Sequence, residues 1–316
     1  MRISLELAPT KPLRRLMGYA ALAEKLGYNA VWVSEHYFNR NSTVLLTMIA
    51  TSTERIQFGH GVLNPYLTHP AVMAQLAATF CELFGDRVLL GIGAGDALTL
   101  ETLGVKREAP LRRVAEAVRT VRDMVRGEKV NEFMRLGFSS ETVPRIYIGA
   151  QSPKMLELAG SIADGVLINT TELDLLGESI KSVIKGLTSS GRRREDVAIE
   201  AALTVAIGDE KAKKIVVPYA ATIASSLSDS VLERAGLNEV ERARLRSLVK
   251  MGLWFKLFEE SFIDRLVENF TISGDESHVF NSIESIMSYG LDGVVFGGPL
   301  GIDQRAAIEL IARRYL

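Results

Sequence analysis

Short runs rich in valine, isoleucine and leucine alternate along the whole chain with longer segments whose apolar positions recur every third or fourth residue. The first pattern reads as strand and the second as amphipathic helix. It predicts strands over Arg2–Leu7, Ala30–Ser34, Ile56–Gly61, Arg87–Gly93, Arg145–Gly149, Gly165–Asn169, Val197–Ile207 and Gly293–Gly297. The helices it predicts cover Pro12–Lys25, Ser42–Thr51, His69–Leu83, Pro110–Arg126, Pro153–Ile162, Glu172–Ser189 and Ile302–Arg314. Near-continuous apolar strands belong to sheets covered on both faces, and such sheets are parallel. Eight of these units in 316 residues point to one closed (β/α)8 TIM barrel of the α/β class, spanning 1–316. A doubly wound open sheet is the alternative, because Gly91-Ile92-Gly93-Ala94-Gly95 follows a strand as a phosphate-binding turn does. That run is GxGxG rather than GxGxxG and comes fourth in the series, which favours the barrel.

The alternation breaks between about 209 and 270. Glu210–Leu227, Val231–Ala235 and Glu239–Phe262 all carry helical patterns with no strand among them. No Gly/Ser/Pro-rich linker brackets the stretch, so it reads as a helical insertion between the seventh and eighth strands, packed over the barrel mouth.

Composition narrows the function. With 47% hydrophobic and 24% charged residues and a net charge of -1, the chain offers no basic field for nucleic acid or an anionic membrane. The N-terminus opens on a strand pattern without a signal-peptide h-region, and no apolar run is long enough to span a bilayer. Cys81 is the single cysteine and sits in an apolar run, which fits a buried thiol in a reducing cytoplasm. The four histidines lack metal-ligand spacing, so no metal site is expected. Apolar positions on the outer helices allow a homodimer or homotetramer.

A barrel enzyme carries its chemistry where the strands end and on the loops that follow. This rule selects Glu6, then Ser34-Glu35-His36-Tyr37, Gly61-Val62-Leu63-Asn64 and Gly93-Ala94-Gly95-Asp96. It adds Gly149-Ala150-Gln151, Asn169-Thr170 and Gly297-Gly298-Pro299. Glu6 interrupts an apolar strand, and an unpaired carboxylate there is costly to bury, so it marks either a polar site or an exposed strand end. Glu35 and His36 suit general acid–base work or a hydrogen-bonded pocket floor. Asp96 suits either the site or an N-cap for the next helix. The glycines at the strand ends leave room for a flat cofactor against the backbone. Gly149-Ala150-Gln151-Ser152-Pro153 has the form of a helix N-terminus, which favours a phosphate.

Taken together, these segments resemble the F420-dependent methylenetetrahydromethanopterin reductases, a branch of the luciferase-like monooxygenases. The resemblance rests on Pro144–Gly160 and Ala163–Asn169, on Leu89–Asp96 and Asn64–Pro70, and on Ile272-Ser273-Gly274 and Gly297–Gly301. It runs from Glu6 to the last helix. It implies coenzyme F420, with FMN as the alternative cofactor of the wider superfamily, and a small pterin substrate. It also implies a non-prolyl cis peptide at Gly61–Val62 behind the deazaflavin ring. Glu35, His36, Asn64, Gly93, Gly95, Gly149, Ala150, Gln151, Asn169 and Thr170 are then expected around the cofactor. Glu6 and Asp96 are expected as a proton-handling pair. In the implied reaction, protonating one nitrogen of the methylene bridge opens it to an iminium that accepts hydride.

Overall fold

Each apolar strand finds its partner in the next one, and a computed structural model describing residues 1–316 closes them into a parallel barrel. The elements run β1 (Arg2–Leu7), α1 (Leu13–Leu26), β2 (Ala30–Val33), α2 (Ser42–Ser52), β3 (Gln57–Leu63) and α3 (Pro70–Phe84). Then come β4 (Val88–Gly93), α4 (Ala97–Thr102), α5 (Pro110–Val125), β5 (Arg145–Ala150), α6 (Pro153–Ile162), β6 (Gly165–Ile168) and α7 (Leu173–Ser189). β7 (Ala198–Ile207) leads into α8 (Glu210–Ser225), α9 (Asp229–Arg234), α10 (Glu239–Lys250) and α11 (Ile263–Phe270). The chain ends with β8 (Ile272–Gly274), α12 (Glu276–Met287), β9 (Gly293–Gly301) and α13 (Gln304–Tyr315).

Eight staves make the barrel in the order β1-β2-β3-β4-β5-β6-β7-β9, and β9 returns to β1. The eighth stave is therefore β9, which runs on to Gly301, beyond the expected end at Gly297. β8 is an additional three-residue strand that the hydrophobic pattern does not reveal. It pairs with Val205–Ile207 of β7 beyond the part of β7 that pairs with β6. Ile-Ser-Gly is too short to show a period of two. The one-and-a-half-turn α4 and the serine-rich α12 also escape the pattern.

Alternation along the strands sorts side chains between two cores. Outward residues and the inner faces of the helices form one apolar layer of 63 buried residues. Inward residues Ala30, Trp32, Leu89, Tyr147, Leu167 and Val295 fill the barrel, with Trp32 and Tyr147 edge-to-face at 5.0 Å. At the strand starts, the barrel closes on a charged floor. Arg2 Nε donates to Glu200 Oε1 at 3.0 Å, Tyr147 Oη donates to the same oxygen at 3.1 Å, and Arg2 Nη2 reaches Gln57 at 2.7 Å. The α8–α11 stretch has a separate core that includes Val217, Ala220, Ala221, Leu245, Leu248 and Phe262. It is joined to the barrel by Leu98 of α4, by a Lys250–Glu101 ion pair at 2.8 Å, and by Thr171 Oγ1 donating to the Asn269 carbonyl. No helix is long and apolar enough to cross a membrane.

Candidate active site

β1 points Arg2, Ser4 and Glu6 into the barrel by alternation, so Glu6 is the inward residue nearest the mouth on that strand. It lies deep among protein atoms yet keeps part of its surface open, as a residue at the bottom of a cleft does. On one side the carboxylate lies against Gly297 of β9. A Cβ at that position would stand 2.9 Å from Glu6 Oε2, so glycine is what lets the carboxylate rest on this strand. Desolvation raises the Glu6 pKa above 4.5, and the neighbouring Ser34 offsets this in part. The Ser34 hydroxyl is itself buried and has no hydrogen bond of standard geometry. No cation is paired with Glu6, which favours a neutral, proton-bearing carboxyl.

The Gly61–Val62 peptide is cis, and the β3–β4 register shifts between His60 and Leu63 at the same point. The resulting bulge turns Val62 into the barrel. A Cβ on Gly93 would meet Val62 Cγ2 at 2.6 Å, and Cβ atoms on Gly91 and Gly149 would meet Val62 Cγ1 at 2.8 and 3.1 Å. Gly93 and Gly149, expected to leave room for a flat ligand, instead leave room for the Val62 side chain. Any wall for a ligand ring on this side is therefore Val62 itself.

A second group forms beside the bulge. The buried Asn64 donates through Nδ2 to the Tyr37 hydroxyl at 2.5 Å and accepts from the Tyr66 and Leu67 N–H groups. Gly95, at φ 66°, packs against the Asn64 amide, where a Cβ would meet Nδ2 at 3.0 Å. The Tyr37 hydroxyl is pushed up to about 12 by burial first and by the charges of Glu35 and Asp96, against the lowering effect of Asn64. Asp96 is the N-cap of α4, its two oxygens accepting from Leu98 N at 2.9 Å and Thr99 N at 3.0 Å. Of the two readings of Asp96, the structure realises the cap. Its charge also raises the Tyr37 pKa.

Glu35 accepts a short hydrogen bond from Ser42 at the start of α2. His36 keeps exposed surface at the rim, and crowding by protein lowers its pKa. On the far side, Gln151 Nε2 donates to the Asn169 carbonyl at 3.3 Å and Thr170 Oγ1 accepts from Glu172 N. The Ala150 methyl is buried in the outer core, so only its backbone faces this region. α6 starts at Ser152-Pro153 with no side-chain capping bond, which leaves its leading N–H groups for an anion. Gln151, Asn169 and Thr170 share a small cavity of about 40 Å³ with Ile223 and Leu227 after β7 and with Phe270 of α11. Glu6 and Val62 do not line it. Sequence reasoning missed Tyr219 of α8, whose pKa is raised by burial and then by the charge of Glu6. It also named Ser34, Tyr37 and Gly297 only as strand-end neighbours. For Tyr219 no local signal exists, because only the folded insertion brings it to β1.

The profile of the family described as luciferase-like monooxygenase matches residues 1–293. The chain is 35% identical to a 5,10-methylenetetrahydromethanopterin reductase of Archaeoglobus fulgidus, covering 100% of this chain and 99% of the relative. It is 32% identical to a protein of the same description in Methanolobus tindarius, with 100% of both chains covered. Its fold superposes with a TM-score of 0.85 on the coenzyme F420 dependent tetrahydromethanopterin reductase of Methanopyrus kandleri, at 27% identity, covering 99% of this chain and 97% of that one.

Proposed function

The chain belongs to the luciferase-like monooxygenase family, and from that premise we propose that it is an F420-dependent 5,10-methylenetetrahydromethanopterin reductase. The observation that carries this reading is full-length similarity to reductases of that description at 32–35% identity. The mouth supports it chemically. The reaction needs a general acid beside a dry, flat binding surface, and Glu6 and the Val62 bulge are suited to those parts.

The residues at the mouth fit the coenzyme by their donor chemistry. Gln151, Asn169, Thr170 and the uncapped start of α6 would hold its phosphate side, and Val62 would back its ring. When bound in reduced form, F420 supplies the hydride. Glu6 keeps its proton to a higher pH than a free glutamate, so it can present a neutral carboxyl to a ring nitrogen of the pterin. Asn64 fixes the Tyr37 hydroxyl, and the cap formed by Asp96 fixes α4, on which the insertion rests. The insertion closes one side of the mouth against water. We also propose a cytoplasmic homo-oligomer. α2 contains no charged residue and exposes Val44, while α3 exposes Val72 and Leu83, which suits burial against a second copy.

The test is anaerobic turnover of reduced F420 with methylene-tetrahydromethanopterin, followed by the absorbance of oxidised F420. We expect oxidation that depends on the pterin. Tight FMN binding with no F420 binding would overturn the reading in favour of a flavin monooxygenase on the same barrel.

A further inference from the structure

Three segments meet at the rim of the mouth beside β1: the loop from β1 to α1, the loop from β2 to α2, and the start of α13 after β9. Two hydrogen bonds tie them together. Lys11 Nζ donates to Gln304 Oε1 at 2.7 Å, and Arg40 Nη1 donates to the Thr10 carbonyl at 3.1 Å. Gln304 is buried, so it anchors the half-buried Lys11 to a fixed point of the fold. Arg15 stands four residues after Lys11, in the first turn of α1. Two adjacent strands thus send three cations to one stretch of the rim.

These cations lack counter-charges. On nearby α13, Arg305 and Arg314 pair with Glu309 and Glu284. Lys11, Arg15 and Arg40 pair with no carboxylate. The acid whose charge reaches Lys11 is Asp303, and its Oδ1 is engaged as the N-cap of α13. Burial first and the Arg15 charge second lower the Lys11 pKa, and Asp303 offsets only part of this. A bound anion would stabilise such a group of cations. Two residues before Arg40, Phe38 leaves 68% of its surface exposed, an aromatic surface on the same loop.

The position of the rim indicates which anion it suits. Five residues of chain separate Glu6 from Lys11, so the two lie at most about 17 Å apart. In the stave order β1 stands across the barrel from β5, and the proposed place of the coenzyme phosphate is at the end of β5. The pterin substrate has an acidic tail of its own. Beyond the reacting bicycle it carries an aryl ring, and beyond that phosphate and carboxylate groups.

We infer that Lys11, Arg15 and Arg40 form the subsite for the anionic tail of the pterin, on the side of the mouth opposite the coenzyme phosphate. This rests on the reading of the chain as a methylenetetrahydromethanopterin reductase. The arginines suit phosphate and carboxylate by their planar fork, and Lys11 acts as a point charge. The subsite selects for the tail, while Glu6 acts on the ring.

The test uses the whole chain with reduced F420 and varies the pterin. Lys11→Gln and Arg40→Gln should each raise KM for methylene-tetrahydromethanopterin about fivefold, the scale of one exposed charge pair. The double variant should raise it roughly twentyfold if the two charges act independently. In both, kcat should change less than twofold, and the gap from wild type should shrink in high salt. With a methylene-tetrahydropterin that lacks the acidic tail, wild type and double variant should have the same KM. A second readout needs no turnover: the Kd of F420, from a fluorescence titration, should be the same in wild type and double variant. A double variant with wild-type KM for the full pterin overturns the inference. Weaker F420 binding with that KM unmoved also overturns it, and assigns the rim to the tail of the coenzyme. A wild-type chain that does not turn the pterin over defeats the functional reading and this inference together. Turnover with an unmoved KM defeats the inference alone, so the two failures are distinguishable.

Discussion

The barrel holds two buried glutamates at opposite ends, and they are treated differently. Glu200, at the floor, receives Arg2 and Tyr147 on one oxygen, and only its Oε2 is without a partner. Glu6, at the mouth, has Ser34 nearby, a glycine at its side and no cation. Burial raises the pKa of both, but the Arg2 charge and the hydrogen bonds from Tyr147 and Arg2 act against this at Glu200. One carboxylate is tied by Arg2 and Tyr147 into a junction of β1, β5 and β7. The other is left poorly satisfied, and a carboxyl that keeps its proton is what an acid catalyst requires. The same residue type on the same inward face thus serves the fold at one end and chemistry at the other. Partners decide which.

Neutralising each carboxylate in turn separates the two roles. Glu6→Gln should lower kcat by about 10²–10⁴-fold, the usual contribution of a general acid, with Tm unchanged or higher. An active Glu6→Gln enzyme would remove the distinction between the two ends. Glu200→Gln should do the reverse. It leaves Arg2 without its carboxylate and should cost about 3 kcal/mol, the low end for breaking a buried pair because Arg2 is partly exposed. Denaturant unfolding measures that loss, and kcat per folded molecule should stay within twofold.

Glycines at the two ends extend the contrast with a smaller effect. A methyl on Gly93 would strike Val62 at 2.6 Å, and one on Gly165 would strike the Tyr147 ring at 2.2 Å. Each alanine variant should cost roughly 1–3 kcal/mol by overpacking. Only Gly93→Ala should weaken F420 binding in a fluorescence titration, because only it displaces the proposed ring wall. Equal losses of affinity in both variants would show that Val62 has no special role.

The smallest expected effect is in stability against pH. Because the folded pKa of Glu6 is raised, the folded chain binds that proton more tightly than the unfolded chain. Its stabilising contribution is complete below the ordinary value of 4.5 and is lost as pH rises through the folded value. Glu6→Gln should therefore be slightly more stable than wild type at neutral pH, by roughly 1–2 °C in Tm. The gain should vanish toward pH 4.5. A gain that grows on acidification would reverse the sign and contradict the raised pKa.

All eight staves and ten of the helices were legible in the sequence, three of them in the insertion, because burial on both faces of a parallel sheet writes apolar runs that no local context disguises. The stave ends were less so. Gly293–Gly301 is longer than the pattern suggests, since Gly298-Pro299 interrupts the apolar run while the backbone goes on pairing with β7. The site divides in the same way. Glu6 was legible because a carboxylate in an apolar strand is costly by itself. Asp96 was equally visible but ambiguous, and only the positions of the Leu98 and Thr99 N–H groups assign it to a cap.

Sequence alone determined what alternation and burial cost can write locally: the βα order, the helical break after β7, and which residues stand at strand ends. It could not say what those residues meet. That Gly93 and Gly149 make room for Val62, that Arg2 and Tyr147 meet on Glu200, and that Tyr219 comes within the field of Glu6 across more than two hundred residues follow from closing the barrel. Closure sets distances between strands that have no relation to distance along the chain, and charge and packing act through those distances.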